Sequence, residues 1–235
     1  MRVKRVMRKF GAFSRVASIR GREMYKLYNV KRWGSMAPHF LLEELGVPYQ
    51  NVWMTPEQVR SDEFRQLSPL GFIPALGIPD GRTIIESMAI LAFLTEAHND
   101  RKLAPKLGSA DSAVYLSTLA FIASNIYGNL NIAEFSADYS SDPAVQQQIR
   151  TQAEQSYHRA FEILDRRLTK EGPFLLGEPF TAADLYLFTV TIWAKPSERA
   201  LLERFQSIAT VAQHVRGRPK LEAALKSHGV MEISG

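Results

Sequence analysis

Residues 71–95 constrain the fold of this chain more than any other stretch. Two short β-favouring runs, 73–78 and 82–85, flank Pro79-Asp80-Gly81. That tripeptide is a turn signal, because proline presets φ and glycine supplies a positive φ. The spacing predicts a β-hairpin. Apolar residues then recur at helical spacing from Ser87 onward, which predicts a helix directly after the hairpin.

Pro74 is unusual because it stands where the first strand of the hairpin begins. Proline cannot donate to a sheet ladder. A cis Ile73-Pro74 bond would turn the backbone of Ile73 outward, where it can pair with an extended ligand. A trans proline at a strand start is the simpler alternative. Ser87 opens the predicted helix, so its hydroxyl can cap the helix and the nearby amides can hold an anion.

The chain has 235 residues, enough for one large domain or two small ones, and it contains no cysteine. The missing cysteine excludes disulfides, thiolate metal sites and a cysteine nucleophile. Any sulfur chemistry must therefore come from a bound ligand. No apolar run reaches the roughly 18 residues that a membrane span needs. We predict neither a metal site nor a membrane span.

The net charge of +5 is concentrated at the N-terminus. Residues 1–24 carry eight basic side chains and one acid, and the remaining residues carry 21 basic and 23 acidic side chains. This distribution argues against a nucleic-acid-binding face. We predict that residues 1–23 form a basic, disordered extension or precede a true start at Met24. A mitochondrial presequence and an anchor to anionic surfaces are the alternatives.

The remaining pattern predicts a sheet domain followed by helices. Four elements are predicted before the hairpin. They are a strand at 25–30, a helix from Ser35 that stops at Gly46, a second strand at 47–54 and a polar helix at 55–67. We assign residues 24–99 to this domain and 100–108 to a linker. Residues 109–235 read as helical, with helices at 112–127 and 142–169. The segment between them, 129–141, is either irregular or a broken helix. Thr181 and Asp184 predict a capped helix start.

Two motifs carry a resemblance to a known family. They are Ser68-Pro69-Leu70-Gly71-Phe72-Ile73-Pro74-Ala75-Leu76 and Glu86-Ser87-Met88-Ala89-Ile90. Their order and spacing resemble the cytosolic glutathione transferases, and the Thr181–Asp184 corner is similar to one in the helical domain of that family. The resemblance implies an α/β thioredoxin-like N-terminal domain followed by an all-α C-terminal domain.

The resemblance also implies a glutathione site. Ile73 would pair its backbone with the cysteinyl part of glutathione beside Phe72, and Pro74 would be the cis proline that permits it. Glu86 would meet the γ-glutamyl ammonium, and Ser87 would meet the carboxylate. Taken singly, Glu86 and Ser87 are also ordinary first-turn residues of a helix.

The residue that activates the thiol is less clearly marked. The run Gly34-Ser35-Met36-Ala37-Pro38-His39 resembles the bacterial beta-class enzymes, but Gly34 stands at their cysteine position. Ser35 is the first candidate for the thiolate donor and Tyr28 the second; their alternatives are a plain helix cap and a core tyrosine. A beta-class histidine is replaced by Tyr127. The predicted electrophile pocket consists of Trp33, Tyr115, Asn125, Tyr127 and Trp193.

The resemblance implies a cytoplasmic, homodimeric glutathione transferase that conjugates glutathione, as co-substrate, to a small hydrophobic electrophile. No tightly bound cofactor is expected. Import into an organelle through the basic N-terminal segment is the alternative localisation. The alternative functions are a non-catalytic ligand-binding or protein-interaction module on the same fold, and a glutathione-dependent peroxide or disulfide reductase.

Overall fold

The computed structural model describes residues 24–235, so the expectations for residues 1–23 lie outside the described part of the chain. The described chain starts with a four-stranded mixed sheet of strand order β2-β1-β3-β4. Its strands are β1 (Tyr25–Asn29), β2 (Tyr49–Trp53), β3 (Ala75–Gly77) and β4 (Thr83–Ile85). β1 runs parallel to β2 and antiparallel to β3, and β3 and β4 form the predicted hairpin.

The alternation of side chains along β1 separates two apolar clusters. Leu27 is fully buried in the large core, together with residues from the helices on that side of the sheet. Tyr28 points to the other face, as strand geometry requires, and packs against a smaller cluster that contains Phe64 and Ile73. The predicted thioredoxin-like sheet is therefore confirmed, and each face has its own core.

Four helices belong to this half of the chain: α1 (Met36–Leu45), α2 (Pro56–Val59), α3 (Asp62–Arg65) and α4 (Ser87–Ala97). Gly46 ends α1 with φ of 64°, and its N–H bonds to Leu42 and Glu43 carbonyls. The single helix predicted for 55–67 is wrong. It is split in two because the Ser61 hydroxyl accepts from the Phe64 N–H at 3.2 Å and starts a new helix.

The rest of the described chain is helical, as predicted. Its helices are α5 (Ala110–Phe121), α6 (Gly128–Glu134), α7 (Pro143–Glu171), α8 (Ala182–Thr191), α9 (Glu198–Arg204), α10 (Gln206–Arg216) and α11 (Glu222–His228). Of the two alternatives for 129–141, the structure shows the broken helix: α6 occupies the first half, and a short 3-10 turn, Ser136–Asp138, follows it. A π-helical segment, Ile122–Tyr127, joins α5 to α6 and keeps the chain helical from Ala110 to Glu134.

Within residues 24–235, an apolar core and an ion pair join the two halves. Phe40 of α1 lies 5.8 Å from Phe188 of α8 between ring centroids, and both side chains are fully buried. Beside them, Arg218 Nη2 donates to Glu44 Oε2 at 2.8 Å, although Glu44 is almost completely buried. A buried carboxylate needs such a partner, because losing it would leave an uncompensated charge.

The start of α8 is fixed by one buried carboxylate. Asp184 accepts from the backbone N–H groups of Leu175 and Thr181 at 2.8 Å each, and from the Thr181 hydroxyl at 3.1 Å. Burial raises the pKa of Asp184 to about 6, while these hydrogen bonds oppose the rise. The predicted Thr181–Asp184 corner is thus present, and Asp184 also anchors the loop before it.

We expect Asp184→Ala to lower the free energy of unfolding by about 3 kcal/mol, because two buried backbone donors lose their acceptor. Thr181→Ala should cost about 1 kcal/mol, because it removes only the hydroxyl. Urea unfolding measures both. Thr210→Ala, at an exposed position on α10, is the control and should change stability by less than about 0.5 kcal/mol. Equal losses for Asp184 and Thr181 would contradict this account.

A histidine pair joins α1 to α11. His228 Nε2 lies 2.9 Å from His39 Nδ1, and the Arg32 N–H donates to His228 Nδ1 at 3.2 Å. The proton of His228 is therefore on Nε2, which donates a hydrogen bond to His39 Nδ1. Burial lowers the pKa of His39 to about 4. Burial also lowers the pKa of His228 to about 3, and positive charge on His39, Lys31 and Arg32 adds to this shift. Both rings are held neutral at pH 7.

Acid should destabilise the protein through this pair. The unfolded histidines take up protons near pH 6.5, whereas folded His39 does so only near pH 4. Stability is therefore present above pH 6.5 and is lost as the pH falls, by about 3 kcal/mol for one such shift. We expect His228→Gln, which keeps a donor and an acceptor, to weaken this slope in urea unfolding between pH 7 and 4.5.

The wild type and His228→Gln are compared at each pH, which cancels the contribution of Asp184. The pKa of Asp184 is raised in the folded protein, so its contribution to stability increases as the pH falls. Glu43 Oε1, 3.8 Å from His39 Nε2, is also common to both. Parallel curves for the wild type and His228→Gln would show that the histidine pair does not control acid stability.

Candidate active site

The Ile73–Pro74 peptide bond is cis, as the resemblance implies, and the role of Pro74 in glutathione binding remains a prediction. The segment before it is held by Ser68. The Ser68 hydroxyl accepts from the Phe72 N–H at 3.2 Å and donates to the Phe72 carbonyl at 2.9 Å. The Phe72 side chain itself is exposed. Ser68, whose role the sequence did not reveal, therefore fixes the backbone that leads into Ile73.

The second backbone corner of the site lies between β4 and α4. Glu86 has φ of 73° and ψ of 116°, an arrangement that a residue with a side chain rarely adopts. Such conformations cost of the order of 1–3 kcal/mol and occur preferentially at functional sites. Glu86 is exposed, and Ser87 is buried at the first turn of α4. The N-terminus of α4, an 11-residue helix, attracts a carboxylate at this corner.

Ser35 is fully buried, and its hydroxyl is occupied within the protein. It donates to Asn29 Oδ1 and accepts from the Val30 N–H at 3.2 Å. Asn29 in turn donates from Nδ2 to Asn51 Oδ1 at 3.1 Å. Ser35 therefore closes the loop between β1 and α1, and its single proton has two acceptors within the protein, Asn29 Oδ1 and the Val30 carbonyl at 3.3 Å. It makes no side-chain cap to α1.

Tyr28 lies in the smaller apolar cluster. Its ring makes an edge-on contact with Phe64, with 5.6 Å between centroids. Its neighbour across the sheet is Ala75, directly after Pro74. Packing accounts for a tyrosine at this position, and its role as a thiol donor remains a prediction.

Gly34 brings the two halves of the molecule into close contact. A Cβ atom built on Gly34 would lie 2.1 Å from Tyr127 Oη and 3.1 Å from the Ile73 carbonyl oxygen. Real Cβ atoms do not approach other atoms as closely as 2.1 Å. The Tyr127 hydroxyl therefore occupies the space of a side chain at position 34, directly before α1. This is also the position at which the beta-class resemblance places a cysteine.

Of the five residues predicted for the electrophile pocket, two are in direct contact. Tyr127 and Trp193 have ring centroids 5.0 Å apart, and Trp193 Nε1 donates to the Arg32 carbonyl at 2.8 Å. Arg32 precedes Trp33, which is partly exposed. These contacts place aromatic side chains along the boundary between the two halves.

Two of the predicted pocket residues do not lie beside Tyr127, and their part in a pocket remains a prediction. Tyr115 is buried in the core, and its hydroxyl lies 3.3 Å from the Thr95 hydroxyl. Asn125 is exposed, and its amide donates to the Phe121 carbonyl at 3.3 Å and to the Ser124 hydroxyl at 3.0 Å. Both lie on the same helical run as Tyr127, but on other sides of it. Helical spacing alone does not identify the side that faces Gly34.

The sequence reading missed Tyr186. Its ring makes an edge-on contact with Tyr127, with 6.4 Å between centroids. Burial raises the pKa of Tyr186, with a smaller rise from Tyr127, and the nearby Ser87 hydroxyl opposes this rise. Tyr186 therefore connects the corner at Ser87 with Tyr127. Its place in the well-patterned helix α8 gave no signal beyond core packing.

Within residues 24–235, no cluster of three His, Asp or Glu side chains is suited to hold a metal ion. None of the helices in that range is both long and apolar enough to cross a membrane.

Residues 35–97 match the family model of the glutathione S-transferase N-terminal domain, and residues 147–226 match that of the C-terminal domain. The fold, the two backbone corners and these matches agree. The chain belongs to the glutathione S-transferase family.

Three similar proteins illustrate the match. GstA of Escherichia coli O157:H7 is 28% identical over 83% of this chain and 94% of its own. Maleylacetoacetate isomerase of Dictyostelium discoideum is 30% identical over 72% of this chain and 75% of its own. A solved sphingomonad glutathione S-transferase complexed with glutathione is 27% identical, with a TM-score of 0.74 over 87% of this chain and 99% of its own.

The contact between Gly34 and Tyr127 predicts a specific coupling. Gly34→Ala should lower the free energy of unfolding by about 1–3 kcal/mol, because the added methyl group overlaps the Tyr127 hydroxyl. Tyr127→Phe removes the overlapping oxygen, so Gly34→Ala should cost less in that background. Urea unfolding of the four proteins gives the coupling energy. Additive effects of the two substitutions would contradict the close approach.

Proposed function

We propose that this protein is a glutathione transferase that conjugates the thiolate of glutathione to a small hydrophobic electrophile. The observation that carries the proposal is the corner at Glu86–Ser87. A strained backbone there presents an exposed carboxylate and the N-terminus of α4. An ammonium and a carboxylate on one carbon, as in the γ-glutamyl group, match this pair of features. Family membership supports the same ligand.

The backbone at Ile73 supplies the second half of the proposed site. Its carbonyl oxygen lies near Gly34, at the N-terminal end of α1. An extended cysteinyl residue that pairs with Ile73 would bring its thiol to this end of α1. A helix N-terminus stabilises a thiolate and lowers the pKa of the thiol from about 8.5. The proposed chemistry therefore uses the sulfur of the ligand, which agrees with the absence of cysteine from the chain.

The aromatic residues at the domain boundary favour a flat, hydrophobic electrophile. The rings of Trp193 and Tyr127 are tilted by 33° to each other. Trp33, which is partly exposed, follows Arg32, whose carbonyl accepts from Trp193. An activated aryl chloride is a suitable probe. The glutathione thiolate attacks the carbon that bears chlorine, the C–S bond forms, the C–Cl bond breaks and chloride leaves.

A second candidate is a glutathione-dependent isomerase. The similarity to the maleylacetoacetate isomerase of Dictyostelium discoideum favours it. In such a reaction the thiolate would add to a conjugated double bond and leave again, so glutathione would not be consumed. The two candidates are separated by measuring free thiol during turnover. Consumption equal to product formation supports the transferase, and constant thiol supports the isomerase.

We also propose that the protein is a homodimer in the cytoplasm, on the strength of family membership alone. Sedimentation of the full chain at micromolar concentration tests the first part. A monomer there would contradict it.

Calorimetric titration with glutathione tests the γ-glutamyl site. We expect Glu86→Gln and Ser87→Ala each to weaken glutathione binding by about tenfold, equivalent to 1.4 kcal/mol, because each removes one charged or polar partner. Glu96→Gln is the matched control: it removes an exposed acid from the opposite end of α4 and should leave affinity unchanged.

Thermal unfolding must show that the three variants fold equally well. If the wild type does not bind glutathione, or if Glu96→Gln weakens binding as much as Glu86→Gln, the proposed site is wrong. Binding without turnover of any electrophile would instead favour the non-catalytic alternative.

A further inference from the structure

Three residues are candidate donors to the glutathione thiol: Ser35, Tyr28 and Tyr127. Their surroundings differ. The Ser35 proton has acceptors within the protein, and the residue is fully buried. Tyr28 packs edge-on against Phe64 in the smaller cluster. Tyr127 extends from the helical half of the molecule to the beginning of α1.

The position of the Tyr127 hydroxyl relative to Ile73 is the central observation. Tyr127 Oη and the Ile73 carbonyl oxygen lie 2.1 Å and 3.1 Å from the same point, the Cβ position of Gly34. The two oxygens are therefore separated by no more than the sum of these distances, about 5 Å. A cysteinyl residue whose amide donates to Ile73 would have its side chain within reach of the Tyr127 hydroxyl.

The hydroxyl of Tyr127 is available as a donor at neutral pH. Burial and the negative charge of Glu86 raise its pKa to about 12, and no hydrogen bond from the described residues contributes to that shift. The phenol therefore keeps its proton when a thiol nearby loses one. Its ring is fixed by contacts with Tyr186 and Trp193, so the orientation of the hydroxyl is set before the ligand binds.

The local backbone explains why Tyr127 points there. It is the last residue of the π-helical segment Ile122–Tyr127, which interrupts the regular repeat between α5 and α6. One extra residue in a turn rotates the following side chains by about 100° around the helix axis. Such π-helical insertions occur frequently at functional sites. Gly34 is the matching feature on the other side, because any side chain there would displace the phenol.

We propose that the Tyr127 hydroxyl is the catalytic donor that holds the glutathione sulfur as a thiolate, at the space left open by Gly34. This inference rests on the proposed function. The thiol releases its proton to solvent, and the sulfur keeps the electron pair. Tyr127 stays protonated and donates a hydrogen bond to the sulfur. The thiolate then attacks the electrophile and the leaving group departs with its bonding pair, so Tyr127 ends the cycle unchanged.

The test is a pH titration of thiolate ultraviolet absorbance in the complex with glutathione. It compares the wild type with Tyr127→Phe, Ser35→Ala and Tyr28→Phe. We expect Tyr127→Phe to raise the pKa of the bound thiol by one unit or more, while the dissociation constant for glutathione changes less than threefold. Conjugation of the aryl chloride at pH 7 should fall by about tenfold or more and recover as the pH rises.

Tyr25→Phe is the matched control, because it removes a phenol that bonds to His98 at 3.1 Å, outside the proposed site. It should leave the thiol pKa unchanged. Tyr127→Phe keeps the aromatic ring, so its thermal unfolding should match the wild type. If Tyr127→Phe is destabilised but still binds glutathione normally, the pKa of the bound thiol alone decides the test.

The outcomes separate the two proposals. If the wild type binds no glutathione or forms no thiolate, the proposed function fails. If the wild type forms thiolate and Tyr127→Phe forms it at the same pH, the function stands and the inference about Tyr127 is overturned. The inference about Tyr127 is also overturned if Ser35→Ala or Tyr28→Phe loses the thiolate while Tyr127→Phe keeps it. The donor is then the residue whose substitution removes the thiolate.

A second readout tests the geometry without enzyme turnover. In Gly34→Cys/Tyr127→Ala, the new thiolate should attack oxidised glutathione. One S–S bond breaks, a protein–glutathione disulfide forms and one glutathione thiolate leaves. Mass spectrometry should show this adduct at least tenfold faster than in Gly34→Cys alone, where Tyr127 occupies the space. Equal rates would contradict the placement of the hydroxyl at Gly34.

Discussion

The close approach of the Tyr127 hydroxyl to Gly34 is the contact on which the proposed site depends. It brings a side chain of the helical half to the N-terminal end of α1, beside the Ile73 carbonyl. The shared core around Phe40 and Phe188 and the ion pair between Glu44 and Arg218 hold the two halves in this arrangement. Because the proposed donor and the backbone corners lie on different halves, the proposed chemistry requires the packing between them to be rigid.

The sequence predicted most of the fold because its signals are local. The hairpin, the cis bond at Pro74, the stop at Gly46 and the corner at Asp184 each depend on a few adjacent residues with strong conformational preferences. The errors arise where the structure depends on features other than periodicity. The split at Ser61 and the π-helical segment before Gly128 depend on single hydrogen bonds and on packing, which periodicity does not show.

The candidate site also has a part that the sequence predicted and a part that it did not. The sequence motifs contain the two backbone corners, so Ile73, Glu86 and Ser87 could be named from adjacent residues. The contact between Gly34 and Tyr127 joins positions far apart in the chain, and the pocket prediction mixed Tyr127 with Tyr115 and Asn125, which face elsewhere. From the sequence alone, Gly34 indicates only that the beta-class cysteine is absent. The structure shows that its small size leaves room for a phenol.

The most direct test of the account is a crystal structure of the protein with glutathione bound. We expect the sulfur within hydrogen-bonding distance of Tyr127 Oη, the cysteinyl backbone paired with Ile73 and the γ-glutamyl carboxylate at the N-terminus of α4. A sulfur in contact with Ser35 or Tyr28 instead, or a γ-glutamyl group away from Glu86 and Ser87, would contradict it.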